Sequence, residues 1–227
     1  MNNQRTITTG INRFYAKVYG FLGGGLALSA FVSYLALQVF PLQVSSFINN
    51  FPLGFMGLWI IELVLVIVLG VKAQKNPSLA IGGFIAYSLL NGLTLAVTLA
   101  MYDIGSVTKA FITATGMFIG MSVVGLVTKK DLSGVGRAGM AASIGVIVAI
   151  LLNVFILKSS AVELFISLLL VVIFAGITAY DNQKIRTIYM QSNATAHSGI
   201  AVFLALQLYL DFINLFLAFL RIFGRNN

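Results

Sequence analysis

Cysteine does not occur in this 227-residue chain, and charged residues make up only 9% of it. The first absence excludes disulfides, thiolate metal sites and thiol nucleophiles, although it does not fix the compartment. The second excludes an ordinary soluble domain, in which about a quarter of the residues are charged. No stretch is both long and polar enough to form a separate soluble domain, so we expect the chain to form a single domain.

Apolar sequence is abundant instead, since 59% of the residues are hydrophobic. We therefore expect an all-α integral membrane protein, with one transmembrane domain over residues 1–227 and a short polar N-terminal tail over residues 1–13. A membrane-spanning helix needs about 20 mostly apolar residues. Seven segments meet this requirement, namely 14–38, 53–72, 79–101, 107–127, 138–157, 161–182 and 199–223.

Positive charges are distributed unevenly over the connections between these segments. With the N-terminus in the cytoplasm, ten Lys and Arg residues fall inside: Arg5, Arg13, Lys17, Lys72, Lys75, Lys129, Lys130, Arg137, Lys184 and Arg186. Four fall outside: Lys109, Lys158, Arg221 and Arg225. The positive-inside rule thus predicts a multi-pass membrane protein with a cytoplasmic N-terminus. Seven spans put the C-terminus outside, whereas a re-entrant last segment would return Arg221 and Arg225 to the inside.

No catalytic signature accompanies the apolar segments. The chain lacks a Ser/His/Asp set, an H-E-x-x-H sequence and a Walker sequence, so we expect no enzyme and no catalytic residue. GVGRAG at 134–139 matches G-x-G-x-x-G, but a dinucleotide site needs a preceding strand and a βαβ unit. The net charge of +8 reflects topology, and we expect no nucleic acid partner.

Six acidic residues occur in the chain, and three of them interrupt apolar sequence: Glu62, Asp181 and Asp211. The other three, Asp103, Asp131 and Glu163, lie at segment ends or in loops, where a solvated charge is the ordinary interpretation. A charge at the centre of a bilayer helix costs about 2.5–3.5 kcal/mol on insertion scales. An acid in such a position is therefore functional by default.

Asp211 is the most deeply placed of these acids, in LYLDFINLF. Gln207, Asp211 and Asn214 follow a helical stripe, so their helix should turn this face into a bundle. One interpretation is a cavity lining, and the alternative is hydrogen bonding between packed helices.

Asp181 stands in AYDNQKIR and can meet Asp211 if its helix continues to about Tyr189 and the next begins near Ser198. Two carboxylates in contact at low dielectric share a proton and titrate in coupled steps. Without the proton, the pair repels itself or takes up a hard cation such as Ca²⁺, which needs several oxygen ligands. If they meet, we expect Asp181 and Asp211 to form a proton switch that can bind Ca²⁺, with Gln207 and Asn214 as further ligands and no resident cofactor.

Glu62 on the second segment is accompanied by a polar stripe on the third, formed by Asn91, Thr94 and Thr98. Glu62 and Asn91 are therefore candidates for a pore lining or a cation site. Hydrogen bonding between helices is the alternative interpretation of the Asn and Thr residues.

Glycines are dense within the apolar segments, including Gly20, Gly23, Gly24, Gly25, and the G-x-x-x-G pair Gly116 and Gly120. Small residues let membrane helices approach closely. We expect them to serve helix packing within the chain, and a dimer face is the alternative. The oligomeric state stays open.

Two stretches, AYDNQKIR at 179–186 and LQLYLDFINLFLAFLRIFG at 206–224, resemble the signature of the Bax inhibitor-1 family, also called the TMBIM family, in its bacterial YetJ-like branch. TKKDLS at 128–133 also resembles this family, and the seven-segment layout extends the resemblance over nearly the whole chain. The resemblance implies six helices around a central seventh. It also implies a pH-sensitive calcium leak gated by an aspartate pair, which corresponds to Asp181 and Asp211.

The resemblance also bears on two other positions. Glu62 corresponds to an acid on the second helix of related bacterial members, which implies a role in cation uptake. Those members place an arginine near the cytosolic end of this helix, where it can bond the aspartates in a closed state. Here Lys72 and Lys75 replace it, so Lys72 is a candidate latch that cannot make the planar bidentate contact of arginine.

Two other functions stay open. A proton-coupled cation transporter would also use buried carboxylates, although no internal repeat is visible and proline, with three residues, is scarce. An interaction protein would regulate a membrane partner such as a protease. The expected partners are the lipid bilayer, Ca²⁺ and protons.

Overall fold

The structure, a computed structural model, describes residues 2–51, 54–192 and 197–224, and this part of the chain contains helices and no strand. Its eight α-helices are α1 (Asn2–Tyr34), α2 (Pro41–Asn50), α3 (Gly54–Lys72), α4 (Pro77–Leu99), α5 (Ile104–Val127), α6 (Ser133–Leu152), α7 (Ser160–Gln191) and α8 (His197–Phe223). Two five-residue π-helical turns, Leu35–Val39 and Asn153–Leu157, continue α1 and α6. The predicted all-α class is confirmed.

Six helical segments of the described residues are long and apolar enough to cross a membrane: Thr9–Val39, Pro77–Leu99, Ile104–Val127, Ser133–Leu157, Ser160–Gln191 and Ser198–Phe223. The protein is therefore a multi-pass membrane protein. α3 coincides with the predicted second segment, and the count of seven spans stays a prediction. The orientation also stays a prediction. Arg225, one of the cations on which it rests, lies outside the described residues.

Several boundaries differ from the expectation or sharpen it. α1 begins at Asn2, so the polar residues 2–13 continue the helix of the first span. The uncharged connection after this span contains the helix α2, which begins at Pro41 because the fixed φ of proline suits a first helical position. α7 continues to Gln191, which confirms the predicted extension past Asp181. GVGRAG lies within α6, so no nucleotide-binding loop exists there.

Two of the three acids assigned no role in function, Asp103 and Asp131, accept backbone N–H groups at the starts of helices. Asp103 Oδ1 accepts the Ser106 N–H at 2.9 Å and caps α5. Asp131 Oδ1 accepts the Ser133 N–H at 2.9 Å at the start of α6, and its Oδ2 accepts the Ser133 hydroxyl at 2.7 Å. These hydrogen bonds hold the pKa of Asp131 below its usual range, so this carboxylate is charged at neutral pH.

The chain divides into two compact units, and the prediction of a single domain is not tested by this division. The first unit comprises Met1–Met101 and Ile188–Tyr209. Within it α4 packs against both α1 and α3. At the closest approach of α1 and α4, a Cβ atom on Gly92 would lie 2.8 Å from the Ser29 carbonyl oxygen, so this contact requires glycine.

The second unit comprises Tyr102–Thr187 and the chain from Leu210 onward. Gly125 on α5 faces the Ala179 carbonyl on α7 too closely for any side chain. Three edge-to-face ring pairs join α5 to α8: Phe111 with Phe212 and Phe216, and Phe118 with Phe212, at centroid distances of 5.7–6.3 Å. These contacts fix the helices that carry Asp181 and Asp211.

The predicted packing role of the glycines holds only in part. Gly25 faces Phe84 and Ser88 on α4, as expected. Gly20, Gly23, Gly24, Gly116 and Gly120 have no atom within 4 Å of a Cβ position, so they mediate no close packing among the described residues.

Replacement of Gly92 by alanine should lower the free energy of unfolding by about 1–3 kcal/mol, because the added methyl group meets the Ser29 carbonyl and Val32. Gly82→Ala is the matched control, since it lies on the same helix and its Cβ position meets no described atom within 4 Å. It should leave stability unchanged or raise it, because alanine favours the helix. Thermal unfolding of both variants in detergent tests this contact, and equal melting temperatures would contradict it.

Candidate functional site

Glu62 lies in the first unit, on α3, and is buried with 5% of its surface exposed. The Thr94 hydroxyl donates to Glu62 Oε1 at 2.7 Å, and the Asn91 amide donates to Oε2 at 3.3 Å. No Lys or Arg of the described residues lies within ion-pair distance of this carboxylate. The Glu62 carboxylate is therefore stabilised by two neutral hydrogen-bond donors from α4.

The hydrogen bonds continue from Glu62 to α8 and α1. The Tyr209 hydroxyl donates to Asn91 Oδ1 at 2.7 Å and lies 2.6 Å from Ser29 Oγ. Phe84 and Tyr87 pack edge-to-face against the Tyr209 ring, at centroid distances of 5.8 and 5.7 Å. A chain of buried polar groups thus joins α3, α4, α8 and α1.

This arrangement decides between the two interpretations of the polar stripe on α4. Asn91 and Thr94 make hydrogen bonds between helices, whereas Thr98 donates to the Thr94 carbonyl of its own helix. The alternative of interhelical hydrogen bonding is therefore correct for Asn91 and Thr94. A role of Asn91 in cation binding stays a prediction.

Asp181 lies in the second unit, on α7, and is buried with 5% of its surface exposed. The Lys184 ammonium lies 4.0 Å from Asp181 Oδ1, one helical turn further along α7. The same ammonium lies 5.5 Å from the centroid of the Tyr180 ring. A quarter of the Lys184 side chain is exposed, so the cation balances Asp181 and remains partly solvated.

Hydrogen bonds fix the part of α7 that carries Asp181. The Gln183 amide donates to the carbonyl groups of Thr128 and Lys130, and its oxygen accepts the Leu132 N–H at 2.9 Å. The Asn182 amide donates to Ser122 Oγ on α5 at 3.0 Å. AYDNQKIR and TKKDLS, two of the stretches that carry the family resemblance, are thus in direct contact.

Asp211 lies in the second unit as well, on α8, with 3% of its surface exposed. Its Oδ2 atom is buried and has no hydrogen-bond partner among the described residues. The next residue, Phe212, anchors this turn of α8 through its ring contacts with α5. α8 is the most buried of the candidate spans, because 72% of the residues in its apolar stretch are buried within the protein.

Asp181 and Asp211 belong to the same unit, and their pairing stays a prediction. No cluster of three or more His, Cys, Asp or Glu residues suitable for a metal occurs in the described part of the chain. The carboxylates can therefore supply only part of the oxygen ligands that Ca²⁺ requires.

The remaining predicted site residues are Asn214, Gln207 and Lys72. The Asn214 amide donates to the Leu210 carbonyl of its own helix at 2.8 Å, and Gln207 is half-buried on α8. Lys72 is the last residue of α3 and is exposed. Their predicted roles as ligands and as latch stay predictions.

Three residues of these networks were missed from the sequence: Lys184, Tyr209 and Ser29. The spacing of Lys184 and Asp181 was a usable signal, because residues three apart on a helix are neighbours. Tyr209 and Ser29 are 180 residues apart, and no local pattern indicates their contact.

The sequence matches the family model described as inhibitor of apoptosis-promoting Bax1 over residues 11–227. An uncharacterized membrane protein of Streptococcus pyogenes serotype M1 is 46% identical over 218 residues, which cover 96% of this chain and 95% of the relative. The inner membrane protein YbhL of Escherichia coli K12 is 41% identical over 219 residues, with 95% and 92% covered. The uncharacterized protein YrjE of Lactococcus lactis is 42% identical over 228 residues, with 99% and 97% covered.

Tyr209→Phe should lower the free energy of unfolding by about 1–2 kcal/mol, because it leaves the buried Asn91 oxygen without its donor. Tyr34→Phe is the control, since Tyr34 is 60% exposed and should tolerate the loss of its hydroxyl. Thermal unfolding in detergent measures both effects. If Tyr209→Phe is as stable as Tyr34→Phe, the polar chain does not stabilise the first unit.

Proposed function

The chain belongs to the Bax inhibitor-1 family, and we propose that it is a membrane channel that leaks calcium or related cations under the control of pH. Asp181 and Asp211 form the sensor and gate in this proposal. The observation that carries it is the buried Asp211 Oδ2 atom, which has no hydrogen-bond partner among the described residues and belongs to the same unit as Asp181.

An unpartnered carboxylate oxygen in a buried site is unfavourable when it carries charge. Two changes offset this cost: the pair takes up a proton, or a cation binds between the carboxylates. The first depends on pH and the second on the concentration of the cation. A site with these two alternatives couples protons to cation passage, which is what a pH-sensitive leak requires.

The two sides of the pair are held differently, and this difference suggests which side moves. Asp181 is flanked by Asn182 and Gln183, whose amides are bonded to α5 and to the loop before α6. Asp211 is followed by Phe212, which makes ring contacts with α5. Because ring contacts are less directional than hydrogen bonds, we assign the movement on protonation to α8, which we expect to be the central helix of the bundle.

Lys184 is the counter-charge of the sensor. Its ammonium lies 4.0 Å from Asp181 Oδ1, so its charge favours the ionised form of the pair. Because the side chain is partly exposed, the ammonium is also partly solvated. Lys72 remains the proposed latch on α3. Gln207 and Asn214 on α8 remain proposed ligands for a passing ion.

Glu62 is the proposed cation site in the first unit, together with Asn91. Its carboxylate is held by neutral donors, and no described cation pairs with it, so its charge is left to attract a passing ion. Ca²⁺ is cargo in this proposal.

Asp211→Asn should abolish the pH dependence of calcium flux in proteoliposomes, because an amide cannot take up the shared proton. Flux through the wild-type protein should change between about pH 6 and pH 8, where a coupled buried carboxyl pair can titrate. Asp181→Asn should have the same effect. A calcium-sensitive dye trapped in the vesicles gives the rates.

Asp131→Asn is the matched control for these variants, because it removes one acid and keeps an oxygen that can accept from Ser133. Its flux should follow the wild-type pH profile. An Asp211→Asn profile that keeps the wild-type pH dependence would show that the pair is not the sensor.

Lys184→Gln should move the midpoint of the pH response to higher pH by roughly 0.5–1 unit, because the ionised pair loses a partly solvated cation. Arg186→Gln is the control, since it removes the same charge from an exposed position on the same helix. The midpoints come from the same vesicle assay. Equal midpoints for the two variants would exclude a specific role of Lys184.

A further inference from the structure

A cavity of about 350 Å³ opens in the second unit where α6 ends and α7 begins. Its polar lining comes from Asn153, Lys158, Ser159, Ser160, Glu163 and Arg221. A smaller cavity of about 190 Å³ shares Ser160, Glu163 and Arg221 with it and adds Tyr102. The sensor residues Asp181 and Asp211 line neither cavity, so this is a separate feature.

Two cations of this cavity form no ion pair with a described acidic residue. Arg221, in the last turn of α8, is half-buried, and Lys158 is exposed. Neither side chain makes an ion pair or a hydrogen bond with a described residue, and Arg221 and Glu163 line the same cavity without pairing within 4.0 Å. A half-buried guanidinium with its five donors uncommitted is suited to an oxygen-rich anion.

The backbone presents further donors to the same cavity. The Asn153 side chain accepts the Ser159 N–H at 3.0 Å and donates to the Ser159 carbonyl at 3.2 Å, which fixes the turn after the π-helical segment. Lys158 adopts a left-handed conformation in this turn, with φ 47° and ψ 36°. α7 then begins at Ser160, and Ser159 Oγ accepts the Val162 N–H at 3.4 Å, which leaves the N–H groups of Ser160 and Ala161 without partners within the helix. These groups add to the positive potential that Arg221 and Lys158 create.

The surroundings of the cavity are apolar and exposed. The π-helical segment beside it presents Val154, Phe155, Ile156 and Leu157, which are 56–74% exposed. Ile150 and Val154 form part of the lining itself. The two helical segments that meet here, Ser133–Leu157 and Ser160–Gln191, are both candidate spans, so their junction lies at the level of the lipid headgroups.

We propose that this cavity binds the phosphate group of an anionic membrane lipid. Arg221, Lys158 and the start of α7 contact the phosphate, and the apolar segment 154–157 packs against the acyl chains. A lipid fits better than a free anion, because the cationic pocket adjoins an exposed apolar surface.

Glu163 lines the same cavity and opposes a phosphate with one negative charge. Two cations and the start of α7 outweigh it. Burial raises the pKa of Tyr102 in the adjoining cavity, so its hydroxyl stays protonated at neutral pH and remains a donor.

Native mass spectrometry of the detergent-purified protein, titrated with defined lipids, tests the proposal. Phosphatidylglycerol should bind as one retained molecule per chain, about tenfold more tightly than phosphatidylcholine. The double variant Lys158→Asn/Arg221→Gln should lose about tenfold in affinity for phosphatidylglycerol. Asparagine is chosen at position 158 because it tolerates the left-handed backbone there.

Two further variants separate a built site from general charge attraction. Lys129→Gln/Lys130→Gln removes the same two charges from a loop outside the cavity lining and should leave the affinity unchanged. Glu163→Gln should raise the affinity about threefold, because it removes the opposing charge. Equal losses in both double variants, or no loss in either, would overturn the proposal.

Two further measurements distinguish the source of the phosphate. Inorganic phosphate, added to the delipidated protein in detergent, should leave the melting temperature nearly unchanged, whereas phosphatidylglycerol should raise it. Stabilisation by inorganic phosphate without retention of phosphatidylglycerol would assign the cavity to a free anion and contradict a lipid site. Tighter retention of phosphatidylethanolamine than of phosphatidylglycerol would contradict an anionic ligand.

Discussion

A polar side chain within a membrane-spanning bundle has little water to bind, so its partner has to come from the protein. In the first unit this constraint is met. Glu62 receives hydrogen bonds from Asn91 and Thr94, and Tyr209 joins Asn91 to Ser29. In the second unit the described residues leave one buried side-chain atom without a partner, Asp211 Oδ2. Because a proton or a cation would stabilise such an oxygen, this exception supports the proposed role of Asp211.

The same constraint explains why the two buried acid sites differ in character. Glu62 is held by two neutral donors on a neighbouring helix. Asp181 has Lys184 as a partly solvated counter-ion, whereas Asp211 Oδ2 has no hydrogen-bond partner among the described residues. A buried acid whose hydrogen bonds are incomplete is a candidate for uptake of a proton or a cation, which is the role proposed for Asp211.

The helices were predictable from the sequence because bilayer thickness sets the length of an apolar run, and backbone groups in lipid must pair within the segment. α2 was not, since ten uncharged residues are too short for that criterion. The buried acids were evident from composition, but their partners were not. Ser29 and Tyr209 meet across 180 residues, and hydroxyl groups occur throughout the chain. The spacing of Lys184 and Asp181 on one helix could have indicated Lys184 as the cation beside this acid. The family resemblance directed the prediction to Lys72 instead.

The lipid site bears on the topology prediction. Of the four cations placed outside, Lys158 and Arg221 line the cavity. A cation that binds a lipid phosphate is neutralised at the interface and carries little information about orientation, so the balance of ten to four becomes ten to two. The re-entrant alternative was attractive because it moved Arg221 inside. α8 is instead continuous over 27 residues, about 40 Å at the helical rise, which is long enough to cross the bilayer. This length favours a last segment that crosses the bilayer and ends in the arginine proposed to bind lipid, while the topology itself stays a prediction.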